Sequence, residues 1–250
     1  MEDTAPVILV GRKPVLEALR SPVLDVERVT VASSILGDFG AEVEALAQQL
    51  GIPLERAGDR RLDALAGDDR QHQGVVAQVI TPEPVELGHF ISGRNGRNWV
   101  TNLLLLDHVH NPANVGMILR TAAGAGLDGV IVPRQGTATI GPLTVKAGAG
   151  VIWSVPIIDV ESVEDAVGLL QEANFSLVGL DSGGEDLWES ALPDRAVFVL
   201  GNETVGLSIA TTRALDMTVA LPLANGVESL NVAATASILS YEIVRRRQTS

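Results

Sequence analysis

The chain is predicted to be an α/β protein in two parts: a small α/β unit over residues 1–80 and a parallel-sheet α/β domain over residues 100–250. Three observations lead there. From Val100 onward, short strands alternate with helical patterns. Those strands (LLLL, VIV, VFVL) are apolar at successive positions, as in a sheet covered on both faces. Between the two parts, residues 81–99 carry Pro82, Pro84 and the stretch SGRNGRN, which reads as a linker.

The elements follow in order. Pro14–Leu19 reads as a short helix and Arg28–Ala32 as a β-branched strand. Ala41–Leu50 places Val43, Leu46, Ala47 and Leu50 on one helical face, and Gly51 stops it. Arg61–Ala66 adds a helical turn and Gly74–Ile80 a closing strand. In the second part the expected strands are Leu103–Val109, Gly129–Val132, Phe175–Leu180, Ala196–Leu200 and Met217–Leu221. The expected helices are Val115–Ala125, Ser162–Ala173, Ile209–Ala214 and Leu230–Arg247. The last helix has two apolar stripes, one through Leu230, Ala234, Ile238 and Tyr241, the other through Val232, Ala236, Leu239 and Ile243. A terminal helix apolar on two sides is packed on two sides, and a subunit interface would supply the second.

Composition sets limits. The 46% hydrophobic and 20% charged content is that of a globular protein with a real core. No apolar run reaches the roughly 18–20 residues of a membrane span, and the acidic start lacks the marks of a secretory signal. The absence of cysteine excludes disulfides, thiolate metal sites and a cysteine nucleophile, and fits a cytoplasmic location. A net charge of −13 argues against a generally adhesive nucleic-acid binder. Residues 159–194 contain only acidic charges, read as solvated surface. Basic side chains gather instead at Arg12, Lys13 and Arg20, at Arg94 and Arg97, and at Arg245, Arg246 and Arg247, leaving room for a local polyanion-binding surface.

Gly124, Gly126 and Gly129 spell the G-x-G-x-x-G of dinucleotide-binding proteins. That motif works in the order strand, turn, helix, where pyrophosphate meets the helix N-terminus. Here the glycines follow a helix and precede a strand, at the negative end of the helix dipole. They read as a helix cap and turn, and a nicotinamide enzyme becomes a remote alternative. Better placed are Asn114, Gly116 and Arg120, just beyond the carboxyl end of a strand, where open α/β sheets bind ligands. Capping would account for Asn114 alone, and a buried ion pair would account for Arg120. Two more loops follow strands in the same sense: Gly201-Asn202-Glu203 with Gly206, and the stretch from Leu221 to Asn231. His108 and His110, at one strand end with no accompanying cysteine or carboxylate pattern, read as an incidental pair, and no metal site is expected.

The three motifs N-x-G-x-x-x-R (114–120), G-N-E-x-x-G-L (201–207) and L-P-L-x-x-x-x-E-S-L-N-V (221–232) together resemble the SpoU (TrmH) branch of the SPOUT RNA methyltransferases. V-G-R-x-x-V-x-E-A-L (10–19) and H-Q-G-V-V-A (72–77) resemble that family's RNA substrate-binding domain, related to ribosomal protein L30e. The resemblance spans nearly the whole chain. It implies S-adenosylmethionine-dependent methylation of an RNA ribose 2'-hydroxyl, with a guanosine of 23S rRNA as first candidate. It implies too a C-terminal trefoil knot and a homodimer whose site draws on both subunits. Catalytic roles would fall on Asn114, Arg120, Glu203, Ser229 and Asn231. Cofactor contacts would fall on Leu180, Gly201, Leu221, Pro222, Leu230 and Asn231. The acidity of the rest of the chain confines the expected RNA contacts to Arg12, Lys13, Arg94 and Arg97, together with Arg120. Arg120 would hold an RNA phosphate and ease deprotonation, with Glu203 orienting it or a loop. Gly148 departs from the pattern, standing where such proteins usually have serine. A tRNA substrate, an antibiotic-resistance site in rRNA, or a non-catalytic ribosome-assembly role on the same fold are the alternatives.

Overall fold

The computed structural model describes residues 6–35, 37–67, 71–93 and 101–249. Arg94 and Arg97 lie outside the described residues. The N-terminal part runs β1 (Val7–Val10), α1 (Arg12–Leu19), β2 (Asp25–Ala32), α2 (Asp38–Leu50), β3 (Leu54–Ala57), α3 (Asp59–Ala66) and β4 (Val75–Ile80). Its four strands lie in the order β1-β4-β2-β3. β4 is antiparallel to both neighbours and β3 is parallel to β2. Leu9, Val15, Val29, Val43, Leu62 and Val75, all fully buried, form its centre.

The second part runs β5 (Val85–Glu86), α4 (Leu87–Gly93), β6 (Thr101–Leu106), α5 (Pro112–Ala125), β7 (Gly129–Pro133), α6 (Pro142–Gly148) and a 3-10 turn at Val151–Ser154. It continues with β8 (Ile157–Val160), α7 (Val163–Glu172), β9 (Ser176–Asp186), β10 (Arg195–Leu200), α8 (Ile209–Ala214), β11 (Met217–Ala220) and α9 (Val232–Thr249). Seven strands form one sheet in the order β11-β9-β10-β6-β7-β8-β5. Every pairing is parallel, as the unbroken apolar strands predicted. From β6 the chain builds outward to β7 and β8, then returns on the other side through β9, β10 and β11. The carboxyl ends of β6 and β10 are therefore adjacent, at the place where such sheets open a crevice.

Regular structure begins inside the stretch expected to be a linker. Val85 and Glu86 pair with β8, and Leu87, Phe90 and Ile91 are buried. The prolines at 82 and 84 precede the strand, where a missing N–H interrupts no ladder. The glycines at 124, 126 and 129 take the expected order: Gly126 caps α5 in the left-handed region (φ 65°) and β7 starts at Gly129.

Of the two stripes on α9, Val232, Ala236, Leu239 and Ile243 are buried, whereas Ala234 is exposed, Ile238 half-buried and Tyr241 57% exposed. The arginine triplet at its end is structural. Glu242, itself buried, accepts from Arg245 at 2.7 and 2.8 Å and from Arg246 at 2.6 Å. Arg246 also donates to the Ser190 and Leu187 carbonyls, and Arg247 pairs with Asp128 at 2.6 Å.

The Arg245 hydrogen bonds, with help from Arg246 and against the opposing effect of burial, lower the Glu242 pKa from 4.5 to about 2. Because the folded value lies below the unfolded one, this stabilisation is complete above pH 4.5 and fades as pH falls toward 2. Arg245 is 59% exposed, so after solvent screening the contribution is about 1–2 kcal/mol. Glu242→Gln is expected to lower the melting temperature by roughly 2–6 °C at pH 7. The gap between the two proteins should close as thermal scans are repeated down to pH 2.

Candidate active site

The end of β6 is tied to the end of β10. Asp107 is fully buried; its backbone N–H donates to the Leu200 carbonyl at 2.9 Å, and its carboxylate accepts from the Ser208 N–H at 2.7 Å. The other carboxylate oxygen lies 2.6 Å from His108 Nδ1. The strand expected to reach Val109 thus stops at Leu106, and His108 turns into the left-handed region (φ 58°). His108 and His110 meet edge-on with ring centroids 6.1 Å apart, on a turn and not on a strand face, and His108 has a carboxylate partner after all.

Asn111, not Asn114, caps α5, its Oδ1 accepting from the Ala113 N–H at 2.9 Å. Asn114 sits two residues into the helix, 4% exposed, and its side chain is free for other work. It donates to Glu203 Oε1 and accepts from Asn231 Nδ2 at 3.1 Å. Asn231 uses its own Oδ1 to cap α9 through the Ala233 N–H at 2.9 Å. Three loops far apart in sequence are thereby locked by one chain of side-chain hydrogen bonds. Glu203 engages Asn114, not Arg120.

Beside this chain lies a cavity of about 410 Å³, a usual size for a small-molecule site. Its apolar wall includes Leu180, Leu200, Val219, Leu221, Leu230 and Val232; Gly201, Gly206, Glu203 and Ser229 bring polar groups and open backbone. The 201–206 loop is narrow. Asn202 and Gly206 exchange backbone hydrogen bonds at 3.0 and 2.9 Å, and Asn202 Nδ2 donates to the His108 carbonyl. Of the expected cofactor residues, Leu180, Gly201, Leu221 and Leu230 line the cavity; Pro222 and Asn231 adjoin lining residues without lining it. Ser229 faces the cavity and does not cap a helix.

Arg120 stands two turns along α5, partly buried and away from the cavity wall. It shares a helix face with Met117, which is 40% exposed, and with Gly124, over which the exposed Tyr241 of α9 lies. In the N-terminal part the two sequence motifs converge. Arg12 N–H donates to Gln73 Oε1 at 3.1 Å, Arg12 Nε to the Gln73 carbonyl at 3.4 Å, and its guanidinium lies 4.9 Å from the Phe39 ring centroid. Arg12 and Gln73, with Asp59 and His72, line a second hollow of about 540 Å³. Lys13 is exposed beside it.

Residues 101–241 match the SpoU rRNA methylase family. The chain belongs to that family. Residues 8–85 match the RNA 2'-O ribose methyltransferase substrate-binding domain, so this SpoU protein is an RNA 2'-O-methyltransferase with its own substrate-binding part. It is 29% identical over 248 residues to a Staphylococcus aureus (strain MSSA476) protein named as a TrmH family tRNA/rRNA methyltransferase, over 99% of this chain and 98% of that one. The SpoU methyltransferase AviRb of Streptomyces viridochromogenes superposes with a TM-score of 0.77 at 25% identity, over 98% of this chain and 91% of AviRb. AviRb in complex with AdoMet superposes with a TM-score of 0.76 at 26% identity, over 98% and 92%.

Within this SpoU methylase, sequence reasoning missed Asp181, Ser182 and Asn202 as cavity residues. The ladder between β9 and β11 jumps from Gly179 to Glu185, so residues 180–184 loop out toward the cavity. Gly184 permits the excursion, because a Cβ there would meet Thr218 backbone at 2.6 Å. The signal available was D-S-G-G immediately after an apolar strand. Gly148, where the family pattern favours serine, packs against α5: a Cβ on it would lie 1.9 Å from Ile152 Cγ2 and 3.0 Å from the Gly116 carbonyl. Glycine there serves the close α5–α6 crossing.

Proposed function

We propose that this protein transfers the methyl group of S-adenosylmethionine to the ribose 2'-hydroxyl of an RNA, with a guanosine of 23S rRNA as first candidate and the cytoplasm as its place of action. The observation that carries this reading is the hydrogen-bond chain Glu203–Asn114–Asn231, which joins three loops at the rim of a ligand-sized cavity. The residues present fit the cofactor. Leucine side chains offer a slot for a flat adenine, and the open backbone of Gly201 and Gly206 allows close approach. When bound, S-adenosylmethionine supplies an electrophilic methyl carbon on a sulfonium that leaves as a neutral thioether. The protein's tasks are to align the 2'-oxygen with that carbon and to favour loss of its proton. Ser229 and Glu203 stand where they can orient cofactor or ribose.

An arginine guanidinium offers a permanent positive charge and a fork of donors, so the role of Arg120 is to hold an RNA phosphate and lower the charge cost of forming the alkoxide. Its distance from the cavity, and the outward face it shares with Met117 and Tyr241, support a homodimer in which this face meets a second subunit. A knot in the segment from β10 to α9 belongs to the same reading. Arg12 and Lys13 present the N-terminal part to RNA, with Arg12 stiffened by Gln73 and Phe39.

The test is direct. Calorimetry with S-adenosylmethionine should give saturable binding, and a map of 2'-O-methyl sites in rRNA and tRNA from cells lacking the protein should show one lost site. A loss in tRNA, or at an rRNA site governing antibiotic sensitivity, would redirect the substrate. Absence of binding together with an unchanged map would leave the non-catalytic reading.

A further inference from the structure

Helix α1, in the N-terminal part, rests on the catalytic part. Gly150 (φ 62°) opens the 3-10 turn at 151–154, and a Cβ built on it would lie 3.2 Å from the Pro14 carbonyl, 3.2 Å from Glu17 Cβ and 3.4 Å from Glu17 Oε2. That turn packs on α5, the helix of Arg120. Glu17 is therefore held at the seam between the two parts. Its Oε2 is buried without a hydrogen-bond partner among the described residues, while its Oε1 lies 3.9 Å from Lys13 Nζ. Burial raises the pKa of this carboxylate above its ordinary value, and the charges of Lys13 and Arg120 act against that rise. A buried acceptor that lacks a donor favours any small movement that brings one, and the Arg120 guanidinium offers five N–H donors.

We propose that Glu17 is a positioning residue for Arg120, through which RNA bound by the N-terminal part is felt at the catalytic part. In the free protein the carboxylate lies 3.9 Å from Lys13 and feels the charge of Arg120 without a hydrogen bond to it among the described residues. An RNA phosphate that takes Lys13 leaves Arg120 as the remaining cation of Glu17, and the guanidinium is held more firmly in one orientation. The catalytic side of this inference rests on the function proposed above for Arg120.

Two measurements on the full-length protein test it. The first follows methyl transfer to the RNA identified by the 2'-O-methyl map. There Glu17→Gln should lower kcat about tenfold while the KM for RNA and the Kd for S-adenosylmethionine stay within about twofold. Unchanged kcat, or a loss confined to KM, would overturn the proposal. The second is a thermal double-mutant cycle with Glu17→Gln and Arg120→Gln, which needs no activity. Removing the Arg120 charge should lower the melting temperature by about 2–4 °C more with Glu17 present than with glutamine there. Additive shifts would remove the coupling across the seam. If the wild type binds no cofactor and methylates no RNA, the functional reading fails while the cycle still decides whether Glu17 and Arg120 are linked.

Discussion

Gly201→Ala is expected to weaken S-adenosylmethionine binding by about 10- to 100-fold and to lower the melting temperature by roughly 3–8 °C. The reason lies in what surrounds the missing side chain. A Cβ on Gly201 would lie 2.5 Å from the Gly206 carbonyl carbon and 2.7 Å from both Gly206 O and Leu207 N. All three are backbone atoms, and Gly206 is itself held by the two hydrogen bonds it shares with Asn202. The loop cannot yield by turning a side chain; it must open. Opening it displaces Asn202 from the His108 carbonyl and carries Glu203 away from Asn114, so the cavity and the hydrogen-bond chain are lost together. Overpacking of this kind costs about 1–3 kcal/mol. Gly168→Ala is the matching control, because that glycine lies on α7 with nothing within 4 Å of a Cβ. It should leave affinity unchanged and stabilise the helix by up to about 1 kcal/mol. Affinity for the cofactor within twofold of wild type in the Gly201 variant would show that the 201–206 loop is not the cradle.

How far such a site can be read from sequence depends on how locally each part is encoded. The strand–loop pattern at 103–114, 196–206 and 217–231 was legible because a continuous apolar strand ending in a Gly/Asn cluster suits a buried parallel strand and little else. The parallel sheet followed from the same strands. Short edge elements were not legible. β3 (LERA) and β5 (VE) are pairings supplied by a neighbour, with too few residues to show a period. The roles within the asparagine-rich turns were also hidden, since Asn111, Asn114 and Asn231 all suit a cap by composition. Only tertiary placement shows that Asn111 and Asn231 cap while Asn114 bridges. The arginine triplet at 245–247 misleads for a related reason: a basic run looks like a partner surface until Glu242 and Asp128 are brought against it.

Arg120 carries the other large expected effect. Arg120→Ala should lower kcat by about 1000-fold and Arg120→Lys by about 100-fold, in line with the loss of a preorganised charge at a developing oxyanion. The two substitutions separate charge from shape. Lysine keeps one positive charge but not the planar fork that grips a phosphate through two parallel hydrogen bonds. The salt dependence of RNA binding should therefore survive in the lysine variant, whereas alanine should reduce the slope of log K against log salt by about one. The pH dependence of single turnovers decides how the arginine acts. A lysine titrates near 10.4, about two units or more below arginine, so an arginine that itself removed the 2'-hydroxyl proton would hand on a profile shifted to lower pH and a partly restored rate. A phosphate-holding arginine would leave the shape of the profile unchanged and only its height reduced. The second outcome is the expected one, because a guanidinium is a poor proton acceptor and a strong, forked hydrogen-bond donor. Turnover by Arg120→Ala within threefold of wild type would remove this residue from the catalytic set altogether.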